Sequence, residues 1–196
     1  MTSLLIIIGV VVIIGFLVIG IYNRLVALRN QVKNAWGQID VQLQRRYDLI
    51  PNLLETVKGY MQYEKSTLEA VVQARRQAVS ARERIQQEGT PTEASMKNMV
   101  GAETALRSSL GNIFALAENY PQLRASENMR ALQEELSSTE NKIAFARQAY
   151  NDQVMFYNTA QQTFPAVVFA GMFGHTPAGL YEIENVQARQ AVKVAF

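Results

Sequence analysis

The run from Leu4 to Ile21, LLIIIGVVVIIGFLVIGI, places eighteen residues in a row without a charged or strongly polar side chain. Coiled as an α-helix, such a run rises about 27 Å, close to the roughly 30 Å of a bilayer's hydrocarbon core. Tyr22 and Arg24 follow at once, an aromatic ring and a snorkelling cation of the kind that settles at a membrane interface. The rest of the chain is therefore expected to be held against a bilayer by residues 1–21. A cleaved secretory signal fits less well. Met1-Thr2-Ser3 carries no basic residue, the apolar run exceeds the usual length of about 7 to 15 residues, and no Ala-x-Ala site follows. Gly9, Gly15 and Gly20 are not spaced as a small-xxx-small pair, so the run carries no helix-dimerisation motif.

Charge gives the expected orientation. No Lys or Arg precedes the run, whereas Arg24, Arg29 and Lys33 follow it closely, and Arg45 and Arg46 come soon after. The positive-inside rule then puts the bulk of the chain in the cytoplasm. The absence of cysteine excludes disulfides and thiolate metal sites. A net charge of +2 with interspersed signs offers no basic stripe, so no nucleic-acid partner is expected.

Beyond the anchor the apolar positions recur in steps of three and four. Leu25, Leu28, Val32, Trp36, Ile39 and Leu43 predict a helix with one buried stripe, continuous with the anchor because no turn signal separates them. Pro51 is the first interruption, where either a kink or a break is predicted, with Asp48 able to cap a new helix. Leu53, Leu54, Val57, Met61, Leu68, Val71 and Val72 then carry the stripe to about Gln87. The clearest stop is Glu88-Gly89-Thr90-Pro91: Gly89 suits a left-handed residue, and Thr90 with Glu93 forms a capping box. A third helix is expected from Pro91 to about Asn119. A second proline interruption falls at Pro121, and the longest stripe follows it, from Met129 through Leu136, Thr139, Ile143, Tyr150 and Val154 to Tyr157, ended by Phe164-Pro165.

The segment Ala166 to Gly174 is apolar but too short to span a bilayer. From His175 onward a poorly ordered terminus is expected, with a short helix from Glu182. If the helices alternate up and down, the fourth ends where the first began. Phe164, Phe169, Met172 and Phe173 would then join Tyr22 and Arg24 at the lipid surface, or else cap the bottom of the bundle.

Polar residues gather at the interruptions. Arg45, Arg46 and Asp48 precede Pro51, while Glu118, Asn119 and Tyr120 precede Pro121. Asp and Asn side chains satisfy backbone groups freed at such breaks. Glu127, Glu140 and Arg147 suit interhelical ion pairs, and structural fixing is preferred here over docking. Chemistry is not indicated. The single histidine, His175, lies outside the helical stripes and reads as an exposed loop residue. Glu127, Glu134, Glu135 and Glu140 read as a solvated face or arginine partners rather than metal ligands. No nucleophile motif or phosphate-binding glycine loop occurs, so neither an enzyme nor a cofactor is expected.

The strings RRYDLIPNL and ENYPQL, together with the spaced Glu140-Asn141, Arg147, Tyr150-Asn151 and Tyr157-Asn158 and a final Thr-Phe-Pro, resemble the LemA family of bacterial membrane proteins, from about Tyr22 to Pro165. The resemblance implies an all-α fold: an antiparallel up-and-down four-helix bundle behind one N-terminal anchor in the bacterial inner membrane, with no established activity. Some relatives carry a lipoprotein signal, which would place the bundle outside the cytoplasm and leaves sidedness open. The expected division is an anchor over 1–21, a bundle over 22–165 with its helices kinked or broken at Pro51 and Pro121, and a flexible, apolar tail over 166–196. The expected role is a non-enzymatic scaffold that self-assembles or recruits another membrane protein; a membrane-remodelling oligomer is the alternative.

Overall fold

A computed structural model describes residues 1–61 and 63–182. Among these, every regular element is a helix: α1 (Thr2–Lys58), α2 (Lys65–Glu88), α3 (Glu93–Ala117), α4 (Pro121–Ala125), α5 (Glu127–Gln162) and α6 (Ala166–Ala170). The 57 residues of α1 rise about 85 Å without a break. Its first third is apolar and exposed, and it is long and apolar enough to cross a membrane. From Leu25 onward one stripe, Val32, Trp36, Ile39, Leu43, Ile50, Leu53 and Val57, disappears into a core shared with α2, α3 and α5.

Pro51 does not break the chain. It sits inside α1, so of the two alternatives, a kink or a break, the break with a new helix capped by Asp48 does not occur. Proline has no N–H to give to the carbonyl four residues back, here that of Tyr47. That carbonyl accepts instead from Arg75 Nε on α2 at 2.7 Å, while Ile50, Leu53 and Val57 keep the buried stripe in register on both sides. The turn falls later, between Gly59 and Glu64, where Met61 is still fully buried.

Gly89 ends α2 with φ of +71°, as a glycine suits. The next cap comes two residues later than expected. Thr92, not Thr90, receives the N–H of Ser95 at 3.2 Å, and Ser95 Oγ accepts from the Thr92 N–H at 3.0 Å. Thr90 instead ties the loop to α1, its hydroxyl accepting from Arg29 Nε at 3.0 Å. At Pro121 the chain does break. Glu118 and Asn119 form a turn, Tyr120 and Pro121 open the single-turn α4, and extended Ser126 separates it from α5.

Cross-helix partners fix the directions. Asp40 and Tyr47 of α1 meet Arg82 and Arg75 of α2, so α2 runs against α1. Trp36 and Arg46 meet Tyr150 and Glu140, so α5 also runs against it. Arg29 and Tyr47 meet Thr90 and Glu103, so α3 runs alongside. The Gly89–Thr92 loop, the end of α5 and α6 therefore lie at the end where α1 is apolar. The length of α1 from Tyr22 to Lys58 sets this helical body at about 55 Å tall.

After α6 the expected poorly ordered terminus is not found in the described residues. Residues 175–182 form an extended strap in which His175, Ala178 and Tyr181 are buried. The short helix expected from Glu182 lies outside the described residues.

Candidate functional site

Two polar constellations stand out, one at mid-height and one at the apolar end. The first is built on Arg46, which occupies a core position of the α1 stripe. Its guanidinium is buried and pairs with Glu103 of α3 and with Glu140 of α5, the latter at 2.7 Å. The Tyr47 hydroxyl donates to Glu103, and burial pushes that hydroxyl well above its ordinary pKa, so it stays a donor. Arg107 reaches the other oxygen of Glu140 at 3.2 Å, and Arg45 pairs with Glu135 at 2.9 Å on the surface. Nearly two turns below, Arg82 grips Asp40 with two nitrogens, at 2.6 and 2.9 Å, and reaches Gln44 at 2.6 Å. The Asp40 hydrogen bond raises the Arg82 pKa further. A cleft of about 240 Å³ opens beside Arg46, lined by Glu103, Thr104, Arg107, Glu140, Arg147 and Tyr181.

The second constellation holds the strap. Asn158 donates to the Ala178 carbonyl and accepts from its N–H, both at 2.9 Å. Asn151 does the same to Tyr181, at 3.2 and 2.8 Å. The spacing is geometric: seven residues of helix rise about 10.5 Å, and three residues of extended chain cover about 10 Å. Asparagines at i and i+7 therefore match strap residues three apart, with the strap running against α5. Tyr150 adds a donor to the Gly179 carbonyl at 2.7 Å, and the Gly179 N–H donates to the Pro91 carbonyl at 2.9 Å. Burial lifts the Tyr150 hydroxyl pKa and pushes that of Tyr181 up to about 12. His175, expected to be exposed, is buried instead; its Nδ1 lies 3.0 Å from the Tyr157 hydroxyl. Burial, with Arg29 nearby, lowers its pKa.

The remaining candidates scatter. Asp48 accepts from Gln44 at 2.7 Å on the surface of α1. Glu127 and Asn141 are exposed on α5, and Arg147 is half-buried beside Tyr181 without an ion pair among the described residues. Glu118 caps the end of α3, Asn119 is exposed, and Tyr120 caps α4. Among the described residues no three His, Asp or Glu side chains converge as metal ligands. Glu103 and Asp40 are not among the residues that the sequence patterns single out. Glu103 does carry a signal: it falls on the Met96, Met99, Leu106, Leu110 stripe of α3, where a lone carboxylate requires a buried partner.

At the apolar end Tyr22 meets Phe173 edge-on, ring centres 5.2 Å apart, and Phe173 stacks on Phe169 at 6.3 Å. Arg24 is exposed just above, and Phe164 and Met172 project outward. The outer groove between α1 and α5 is uncharged, lined by Gln31, Asn34, Gln38, Ala149, Gln153 and Phe156.

A profile of the LemA family matches residues 35–196, which takes in both constellations. The chain belongs to the LemA family. Its curated relatives include the magnetosome protein MamQ of Magnetospirillum gryphiswaldense, 23% identical over 74% of this chain and 58% of that protein. MamQ 2 of Paramagnetospirillum magneticum is 23% identical over 82% of this chain and 64% of its own length. Protein LemA of Metamycoplasma hominis is 26% identical over 76% and 63%. This LemA-family chain thus spans about three fifths of the length of the curated relatives it matches.

Proposed function

We propose that this LemA-family chain is a non-enzymatic scaffold: an antiparallel, up-and-down four-helix bundle carried on one membrane-crossing helix, which works by assembling with copies of itself. The observation that carries this reading is the unbroken course of α1. Its exposed apolar third and its buried stripe belong to one rod with no linker, so the height and tilt of the body follow the anchor. Copies anchored with the same polarity present the same face at the same level. The uncharged α1/α5 groove, flanked by exposed Phe145 and Phe156, is the face best suited to such a contact. The positive-inside argument favours the cytoplasmic side of a bacterial inner membrane. A second reading, a membrane-remodelling oligomer, is favoured by the exposed apolar side chains beside the base of the anchor.

The test is the size and composition of the full-length protein extracted gently from its membrane, by mass-resolved chromatography. A homogeneous homo-oligomer is expected, and Phe145→Glu with Phe156→Glu is expected to reduce it to smaller species without changing the thermal midpoint. A monomer in the unaltered protein overturns self-assembly. One stoichiometric companion makes the chain an adaptor instead.

A further inference from the structure

The apolar segment around α6 touches the anchor at a level that its own chemistry and the length of α1 together determine. Of the apolar run, only Val18 and Ile21 are partly covered; the stretch from Leu4 to Leu17 is exposed throughout. That exposed stretch rises about 20 Å, well short of the roughly 30 Å of a hydrocarbon core. If α1 crosses a bilayer, the turn holding Val18 and Ile21 has to lie within the membrane or at its edge. Whatever packs there lies at lipid level too. α6 touches α1 at this end, and the Phe173 ring just after it sits on Tyr22, the residue next to Ile21.

The outward side of this segment is suited to that position. Phe164 is 84% exposed and Met172 80%, with Val167 and Val168 more than half exposed between them. No Asp, Glu, Lys or Arg occurs from Gln153 to Tyr181, so no charge has to be desolvated. On the helical body, by contrast, exposed Phe145 stands beside Glu134 and Lys142, and exposed Phe156 lies along the polar, amide-lined groove between α1 and α5. The segment cannot drift away either: the strap that follows is clamped by Asn158, Asn151 and Tyr150, and the His175 N–H closes on the Ala170 carbonyl at 3.0 Å.

We propose that Phe164, Val167, Val168 and Met172 form a collar that inserts into the headgroup and upper acyl region of the same bilayer leaflet from which α1 emerges, giving the protein two membrane contacts held rigidly together. This rests on the reading that α1 crosses the membrane. A single crossing helix leaves the whole rod free to spin about its axis and to tilt as one unit in the bilayer, whereas a second contact beside it fixes one face of the body towards the lipid. Apolar side chains of interfacial segments sit about 5–10 Å into the headgroup and acyl boundary.

The native chain has no cysteine, so a single introduced thiol is a unique labelling point. Full-length Val168→Cys and, separately, Met172→Cys carry a nitroxide in phosphatidylcholine vesicles, with Phe16→Cys marking the anchor and Ser137→Cys the distant surface of α5. Collision with lipid-soluble oxygen is compared with collision with a water-soluble nickel chelate. The expected result is a high oxygen-to-nickel ratio at 168 and 172, between that at 16 and that at 137. A water-like ratio at 168 and 172 with a lipid-like ratio at 16 overturns the collar and leaves the anchor standing. Shielding from both reagents at 168 and 172 overturns it in favour of coverage by a second copy. A water-like ratio at 16 overturns the crossing reading and the collar with it.

Discussion

At mid-height α1, α3 and α5 are tied together by charge, Arg46 lying buried between Glu103 and Glu140. At the end where α1 is apolar, α5 holds the strap with neutral groups, Asn151, Asn158 and Tyr150 bonding to main-chain atoms. The two devices differ in how they fail. A buried ion pair leaves an uncompensated charge when one partner goes, and that cost reaches every helix sharing the core. A side chain that holds backbone gives up only its own hydrogen bonds, and the strap it held opens locally.

Arg46→Ala is accordingly expected to be the most damaging single change. It strands Glu103 with only the Tyr47 hydroxyl, and the expected loss is about 3–5 kcal/mol, or roughly 10 °C in the thermal midpoint. Adding Glu103→Met to Arg46→Met is expected to recover part of this, because Glu140 keeps Arg107 while the buried Tyr47 hydroxyl loses its acceptor. Thermal and urea melts of the two variants decide it. Equal destabilisation of both would show that packing, not stranded charge, is what Arg46 supplies.

That contrast also separates what can be read in the sequence from what cannot. The stripe of α1, the left-handed Gly89 and the long stripe of α5 are legible because their apolar spacing is local and the core follows it. Arg46 and Glu103 hide within such stripes, visible only as polar residues at core positions. At Pro51 a local reading leaves kink and break both open, because the Tyr47 carbonyl that proline leaves unpaired finds its partner, Arg75, twenty-eight residues along the chain. No local rule contains that partner. The strap escapes for a similar reason: Ala178-Gly179-Leu180-Tyr181 has no periodicity, and its order comes from asparagines on α5 that read equally well as surface residues.

Gly179→Ala is expected to be the largest change confined to the strap. A Cβ there meets the Thr92 carbonyl oxygen at 2.5 Å, its carbon at 2.7 Å and Glu93 Cα at 2.8 Å, all backbone that cannot turn aside. Hydrogen-exchange protection is expected to vanish at 178–181, with a global loss of about 1–3 kcal/mol. Intact protection would mean that α3 yields. Asn158→Ala is expected to cost less, about 1–2 kcal/mol, because Asn151 still holds Tyr181. Asn158→Asp sharpens the comparison. Its ionised carboxylate still accepts from the Ala178 N–H but cannot donate to the Ala178 carbonyl, so substituting charge for a neutral two-sided contact is expected to be no better than Ala. Recovery by Asp would show that only the accepting half matters.

The smallest expected effect is one of pH, and it belongs to the strap alone. Burial and Arg29 hold the His175 pKa below its ordinary 6.5. As pH falls past 6.5, the opened strap takes up the proton before the docked one does, so docking weakens with acidification. Its full strength is present above that value, and the loss ends once the pH reaches the lowered pKa of the docked state. Exchange at 178–181 is therefore expected to quicken between pH 7.5 and pH 5 beyond the intrinsic change, while amides buried beside Arg46 stay protected. His175→Gln, which keeps a hydrogen-bonding group but cannot titrate, is expected to abolish that excess. If the excess persists in the Gln variant, another group titrates at this end, and the neutral character assigned to the strap contact is wrong.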